Sequence, residues 1–216
     1  MGPRTRLGVI LATFVALILS TAADARFVRY TTVRDEKDGC GMYPSDVFDE
    51  ARAGWGDCRL RSAGESPLWK GLTMAGARRQ VRFTFNEGHG RYTRVIDFVE
   101  LADGSGEVRR ETITPLPGHW LRVDERHHDR VSAEDVRRLN ALADASGLWK
   151  FDVGTWNHQD PDWLYFDCES LDMERIDAGG YRFSTVFISC SRPKKLVPLV
   201  DFLTGLAGLK ADDFLY

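Results

Sequence analysis

Long apolar runs and motifs that name a chemistry are both scarce in this 216-residue chain. The longest mainly apolar stretch, Leu7 to Leu19, has 13 residues, Thr13 among them. A helix needs roughly 20 to cross a ~30 Å hydrocarbon core, so no membrane-spanning segment is expected. No H-E-x-x-H, C-x-x-C or G-x-S-x-G pattern occurs. Their absence removes the usual spacings for a zinc peptidase, a thiolate metal site and a serine nucleophile. Gly104-Ser105-Gly106 is too short to cradle a phosphate and reads as a turn. No cofactor is called for. Internal repeats and low-complexity tracts are also missing. The charge is close to balanced, with a formal net of -3, which argues against nucleic acid as the main partner because phosphate binding needs a clustered basic surface.

What is present begins with an address. Arg4 and Arg6 precede the apolar run, and Ala23 and Ala25 occupy the small-residue positions of an A-x-A site. That three-part pattern is a secretory signal peptide, residues 1–25, cleaved after Ala25. Arginine outnumbers lysine 23 to 6, a composition that suits a GC-rich bacterial genome. The expected location is therefore periplasmic or secreted. The mature chain divides into an irregular segment, 26–79, packed on a main α+β domain, 80–216.

Four cysteines in an exported chain read as two disulfides, with three connectivities open. Turn geometry favours one of them. With Ala178, Gly179 and Gly180 as a three-residue loop, Asp177 faces Tyr181 and Cys168 falls opposite Cys190. A non-hydrogen-bonded pair, with Cα atoms about 4.5 Å apart, lies within disulfide range. Cys40 and Cys58 are then left to staple the N-terminal segment.

Residues 27–33 read as a first strand. Val81, Phe83 and Phe85 alternate with Arg82, Thr84 and Asn86, the period of a half-buried strand. Further strands are expected over 92–101, from about 107, and over 119–126. Ser132 caps a helix with apolar positions Val136, Leu139, Leu142 and Ala143, stopped at Gly147. A hairpin follows over roughly 163–190, and Pro198 opens a last helix bearing Leu199, Phe202, Leu203 and Leu206. The expected fold is α+β: a mainly antiparallel sheet with two helices on one face.

The stretches Asp103-Gly104, Ser132 to Trp149 and Leu196 to Leu209 carry a resemblance. From about Tyr92 to Leu209 the arrangement resembles a class of exported bacterial α+β domains of unknown function. The insertion at Trp156 to Asp162 departs from that pattern, and residues 26–79 have no counterpart in it. The resemblance implies a fold and an address, and it brings no active site.

Two sets of residues merit weighing as sites. Asp124-Glu125-Arg126-His127-His128-Asp129 offers imidazoles and carboxylates, with His158, Asp160 and Asp162 as further donors. Such ligands suit a metal-dependent hydrolase built on His127, His128 and His158. Against it, adjacent histidines on a strand point to opposite faces, and a solvated polar loop is expected just before a helix cap. The row Asp167, Glu169, Asp172 and Glu174 invites a two-carboxylate glycosidase reading but is more simply a solvent-facing strand edge. Trp149 and Trp163 read as core. Trp156, with His158 and Asp160 beside it, looks like a loop tip suited to a sugar face or a protein partner. The leading reading is an exported, non-catalytic protein that binds an envelope component or a partner protein through that loop.

Overall fold

Alternating apolar and polar residues over most of the chain produce strands, and these dominate the computed structural model. It describes residues 29–34, 40–44, 57–150, 153–155, 168–189 and 194–209. The elements run β1 (Arg29–Arg34), α1 (Asp57–Ser62), β2 (Ala77–Asn86), β3 (Thr93–Leu101), β4 (Gly106–Leu116), β5 (Trp120–Val131), α2 (Ala133–Ser146), β6 (Val153–Thr155), β7 (Ser170–Asp177), β8 (Gly180–Phe187) and α3 (Val197–Leu206). All eight strands form one sheet in the order β1-β5-β4-β3-β2-β7-β8-β6. Seven of them pair antiparallel, and the short β6 joins β8 in parallel. The chain is thus α+β, with a mainly antiparallel sheet. Among the described residues no helix is long and apolar enough to cross a membrane.

One core cluster combines Val81, Phe83 and Phe85 of β2 with Ile96 and Phe98 of β3. Val136, Leu139 and Ala143 of α2 and Leu199 and Leu203 of α3 enter the same cluster. Each of these side chains larger than alanine contributes about 1.5–3 kcal/mol when fully buried. Ser132 caps α2 as the sequence predicts: its hydroxyl oxygen accepts from the Asp135 amide at 3.1 Å. Leu148 is fully buried, and Trp149 packs against the cluster.

A second, smaller cluster gathers Met42 and Leu60 with Val95, Ile113, Leu121 and Val123. Here residues before β2 meet the sheet. Tyr43 packs edge-on against Phe183 at 5.5 Å between ring centroids, and the Trp69 indole donates to the Gly41 carbonyl at 3.1 Å. The expected first strand is present as β1, and the stretch after it, expected to be irregular, contributes α1 and the apolar anchors Met42 and Leu60. Cys40 and Cys58 are disulfide-bonded.

Three local expectations need correction. The hairpin between β7 and β8 has a two-residue loop, with Asp177 opposite Gly180 rather than Tyr181. Gly180 has a φ of 93° and Asp177 Oδ1 accepts from the Gly179 amide at 2.8 Å, which closes the turn one residue early. Cys168 is disulfide-bonded; Cys190, its expected partner, lies outside the described residues. Second, residues 124–129 are no polar loop, because β5 runs through them to Val131. Third, the polar side of β2 is not open to solvent: Gln80, Arg82 and Thr84 are as buried as their apolar neighbours.

Candidate functional site

The buried polar side of β2 belongs to a ladder of charges set by strand register. Arg109 on β4 pairs with Asp97 on β3, Asp97 pairs with Arg82 on β2, and Arg82 pairs with Glu174 on β7. Residues directly opposite in an antiparallel sheet share a face and lie about 4.5–5.5 Å apart. Four neighbouring strands thus carry an alternating row of guanidinium and carboxyl groups on one face. Arg82 Nε donates to Asp97 Oδ1 at 3.1 Å, and Arg109 Nη2 donates to Asp97 Oδ2 at 2.6 Å. Glu174 stands 4.0 Å from the Arg82 guanidinium and accepts the Tyr181 hydroxyl at 3.0 Å.

Glu65 closes the ladder from above. α1 ends at Gly64, whose φ of 95° would strain a side chain. The Gly64 amide donates to the Arg61 carbonyl and the Glu65 amide to the Leu60 carbonyl, each at 3.0 Å. This paired helix ending holds Glu65 over the sheet. One carboxylate oxygen accepts from Arg82 Nη2 at 2.6 Å, and the other accepts from Arg109. Arg82 Nη1 also donates to the Ser66 carbonyl at 2.9 Å. Arg82 is thereby held by Asp97, Glu65 and a backbone oxygen while 1% exposed, which is how a buried cation avoids a prohibitive desolvation cost.

Protonation follows from this arrangement. Burial alone would raise the Asp97 pKa, but Arg82 and Arg109 outweigh it and hold the carboxylate below its ordinary range. Burial, then the nearby Glu65 charge, pushes the Glu111 carboxyl up to about 8 even though Arg109 Nη1 donates to it at 2.9 Å. Burial likewise raises Glu174 to about 8 against the pull of Arg82 and the Tyr181 hydroxyl. Burial and the Glu174 charge raise the Tyr181 phenol, which stays protonated as the donor.

Beside the ladder lies a cleft of about 260 Å³. Its floor is Gln80, Asp97, Arg109 and His128, and its walls include Glu65 and Thr73. Thr73 tethers its wall to the floor, because its hydroxyl donates to Gln80 Oε1 at 2.7 Å. The Arg109 side chain is 31% exposed, the point where the buried network meets solvent. At the rim, His128 Nε2 lies 3.3 Å from Glu107 Oε2.

The two neighbouring histidines do not converge. A bulge in β5 pairs His127 with Arg110 and Glu125 with Glu111, skipping Arg126 in the register. His128 therefore joins the cleft, while His127 Nε2 hydrogen-bonds the Leu206 carbonyl at 3.0 Å, at the end of α3. Among the described residues no group of three or more His, Cys, Asp or Glu side chains is disposed to hold a metal ion. His158, and Trp156 and Asp160 of the proposed binding loop, lie outside the described residues. The acidic row is also reassigned. Glu169, Asp172 and Glu174 are buried, not solvent-facing, and Asp172 accepts from Thr185 at 2.7 Å and Asn86 at 2.9 Å.

Sequence reasoning singled out none of Glu65, Arg82, Asp97, Arg109 or Glu111. One signal was available: Asp97 stands between Ile96 and Phe98 in a strand that is apolar on both faces. A lone carboxylate there calls for a buried cation on a neighbouring strand.

The fold and the cleft define an α+β protein with a single mainly antiparallel sheet, roofed in part by its own disulfide-bonded N-terminal segment. No protein-family model matches the chain, and no curated protein matches it.

Proposed function

We propose that this is an exported binding protein without a catalytic role, and that the cleft between Glu65 and the β2–β5 floor is where it holds an envelope component. The observation that carries the reading is the cleft itself. It is a pre-formed concavity whose walls are fixed by a helix ending, a Thr73–Gln80 hydrogen bond and buried ion pairs. Small-molecule sites are usually such preformed concavities with a few convergent polar groups. The Cys40–Cys58 bond and the bonded state of Cys168 fit maturation in an oxidising compartment, after removal of residues 1–25. In this reading the protein is periplasmic or secreted, and the Trp156, His158 and Asp160 loop is a second contact surface for a protein partner.

Retention of envelope components by the purified protein tests the assignment. Material extracted from the native host is captured on immobilised wild type, on Glu107→Gln and on a Trp156→Ala, His158→Ala variant. Loss of a small-molecule component with Glu107→Gln alone supports the cleft. An identical captured set on all three removes both surfaces. Stoichiometric zinc or manganese in tag-free protein would instead favour the hydrolase.

A further inference from the structure

The ladder beneath the cleft is electrically balanced only while two of its carboxyl groups hold protons. Glu65 and Asp97 offset Arg82 and Arg109, and Glu111 and Glu174 lean on the same two guanidiniums. Each of the latter keeps one buried oxygen, Glu111 Oε1 and Glu174 Oε2, that accepts no hydrogen bond from any described residue. A buried carboxylate oxygen without a donor is costly. A protonated carboxyl needs fewer donors, because its hydroxyl donates instead. The orphaned oxygens thus mark where the protons sit, in keeping with the burial that pushes both groups up to about 8.

Glu111 is the member whose proton reaches the roof. Arg109 Nη1 donates to Glu111 at 2.9 Å, while Nη2 donates to Asp97 at 2.6 Å and to Glu65. The Glu111 and Glu65 carboxyls flank one guanidinium and lie close enough to hydrogen-bond when one is protonated. Asp97 also faces Glu111 from β3. On β5, Glu125 stands opposite Glu111 in register and His128 opposite Arg109, with Arg29 of β1 opposite Glu125. Of the carboxyl groups on Arg109, those of Asp97 and Glu111 belong to strands paired on both sides. Glu65 alone rides on a turn, and that turn walls the cleft through Ala63, Gly64, Glu65 and Ser66.

We propose that the turn at 63–66 is a proton-held latch on the cleft, closed while Glu111 carries a proton and released when that proton leaves for solvent. The proton lies between the Glu111 and Glu65 carboxyls and ties the turn to β4. Its loss sets three carboxylates around Arg109, and the repulsion falls on the one group whose backbone can move. Lifting the turn takes the Glu65 charge away from Glu111 and admits water, so the open form binds the proton less tightly. Opening therefore becomes easier as pH rises, and levels off beyond about 8, where the closed form has lost the proton as well. The claim concerns a wall of the cleft and stands apart from what the cleft holds.

Hydrogen exchange at the Gly64 and Glu65 amides is the test, because lifting the turn must break their bonds to the Arg61 and Leu60 carbonyls. With intrinsic base catalysis divided out, their opening constants should rise by up to tenfold per pH unit from about pH 6 to about pH 8. They should exceed those of β2 and β3 and ignore low urea, which drives global unfolding. In Glu111→Gln, whose amide keeps an acceptor for Arg109 and a donor for Glu65, they should stay low and flat; in Glu174→Gln the rise should remain. A rise that survives Glu111→Gln, one abolished by Glu174→Gln, or constants equal to those of β2 and β3 and equally urea-dependent would each overturn the latch. Carboxyl carbon shifts of the wild type give a reading that needs no variant. Glu111 should titrate in step with the two amides, and its titration in the ordinary carboxylate range would overturn the latch too.

Discussion

Replacing Arg82 with methionine removes the centre of the buried ladder while keeping most of the apolar stem. The variant strips Asp97 of its bonds at 3.1 and 3.2 Å, Glu65 of its bond at 2.6 Å and the Ser66 carbonyl of its donor at 2.9 Å. Breaking a buried pair by removing one partner costs about 3–5 kcal/mol. A second route gives a similar figure. A stranded carboxylate with an ordinary pKa near 4.3 can escape by taking a proton, which at pH 7 costs about 3.7 kcal/mol. At pH 5 the same escape costs only about 1 kcal/mol. Stability should therefore fall by about 3–5 kcal/mol at pH 7, lowering Tm by roughly 6–20 °C for a domain of this size. The deficit should shrink towards about 1 kcal/mol at pH 5. Urea unfolding followed by circular dichroism at both pH values measures it. A loss below about 1 kcal/mol at pH 7, or an equal loss at both pH values, would refute the account of Arg82 as an obligatory counter-ion.

Three further outcomes follow from the same geometry. Burial pushes the Glu111 and Glu174 carboxyls up to about 8 in the folded state, well above the ordinary glutamate range, so the folded state binds the extra protons and stability should decline as pH rises from about 5 through 8, by at most about 1.4 kcal/mol per pH unit for each group. Glu174→Gln should flatten that decline and raise stability above pH 8, and urea midpoints that keep the wild-type slope would count against it. Gly64→Ala places a side chain at a φ of 95° and should cost about 1–2 kcal/mol; because Glu65 follows directly, the Arg109 side-chain NMR signals should move as well. Replacing both Cys40 and Cys58 with serine opens a loop of sequence separation 18 and should cost about 3 kcal/mol, with hydrogen exchange rising over 57–66 before β3.

The elements were legible because local rules decide them. Ser132 and Gly147 mark α2, and the alternation of Val81, Phe83 and Phe85 marks β2. The same alternation misled about the other side of β2. Period two reports that residues divide between two faces; it does not report what covers each face. Arg82 and Thr84 look solvated until Glu65, 17 positions away from Arg82, is seen to sit on them. The cleft was unreadable for the same reason, since it arises where the neighbouring strands β2 to β5 meet a turn that precedes them all. The hairpin register slipped by one because Ala178-Gly179-Gly180 permits a two- or a three-residue loop, and only the backbone at Gly180 decides. His127 and His128 diverge as adjacent strand residues must. Which of them reaches the cleft depends on the bulge at Arg126, which no pattern in the sequence announced.

Stability alone does not explain a ladder of ions beneath a protein roof, because well-packed apolar residues are often as good or better there. Register supplies a reason. Shifting β3 along β2 by two residues keeps every side chain on its own face, and the apolar side of β2, with Val81, Phe83 and Phe85, would accept the slip with modest repacking. The charged side would not. Asp97 would face Gln80 or Thr84 instead of Arg82, leaving ions buried without partners. The expectation is that Arg82→Met combined with Asp97→Leu restores most of the stability lost in Arg82→Met, while specificity of pairing declines. Hydrogen exchange and cross-strand NOEs over β2 and β3 read this directly. Recovered stability with extra cross-peaks from a second alignment supports a register function. Recovered stability with one unaltered alignment would mean that the apolar pattern and turns specify the pairing by themselves, and that the ladder is retained for the cleft it floors.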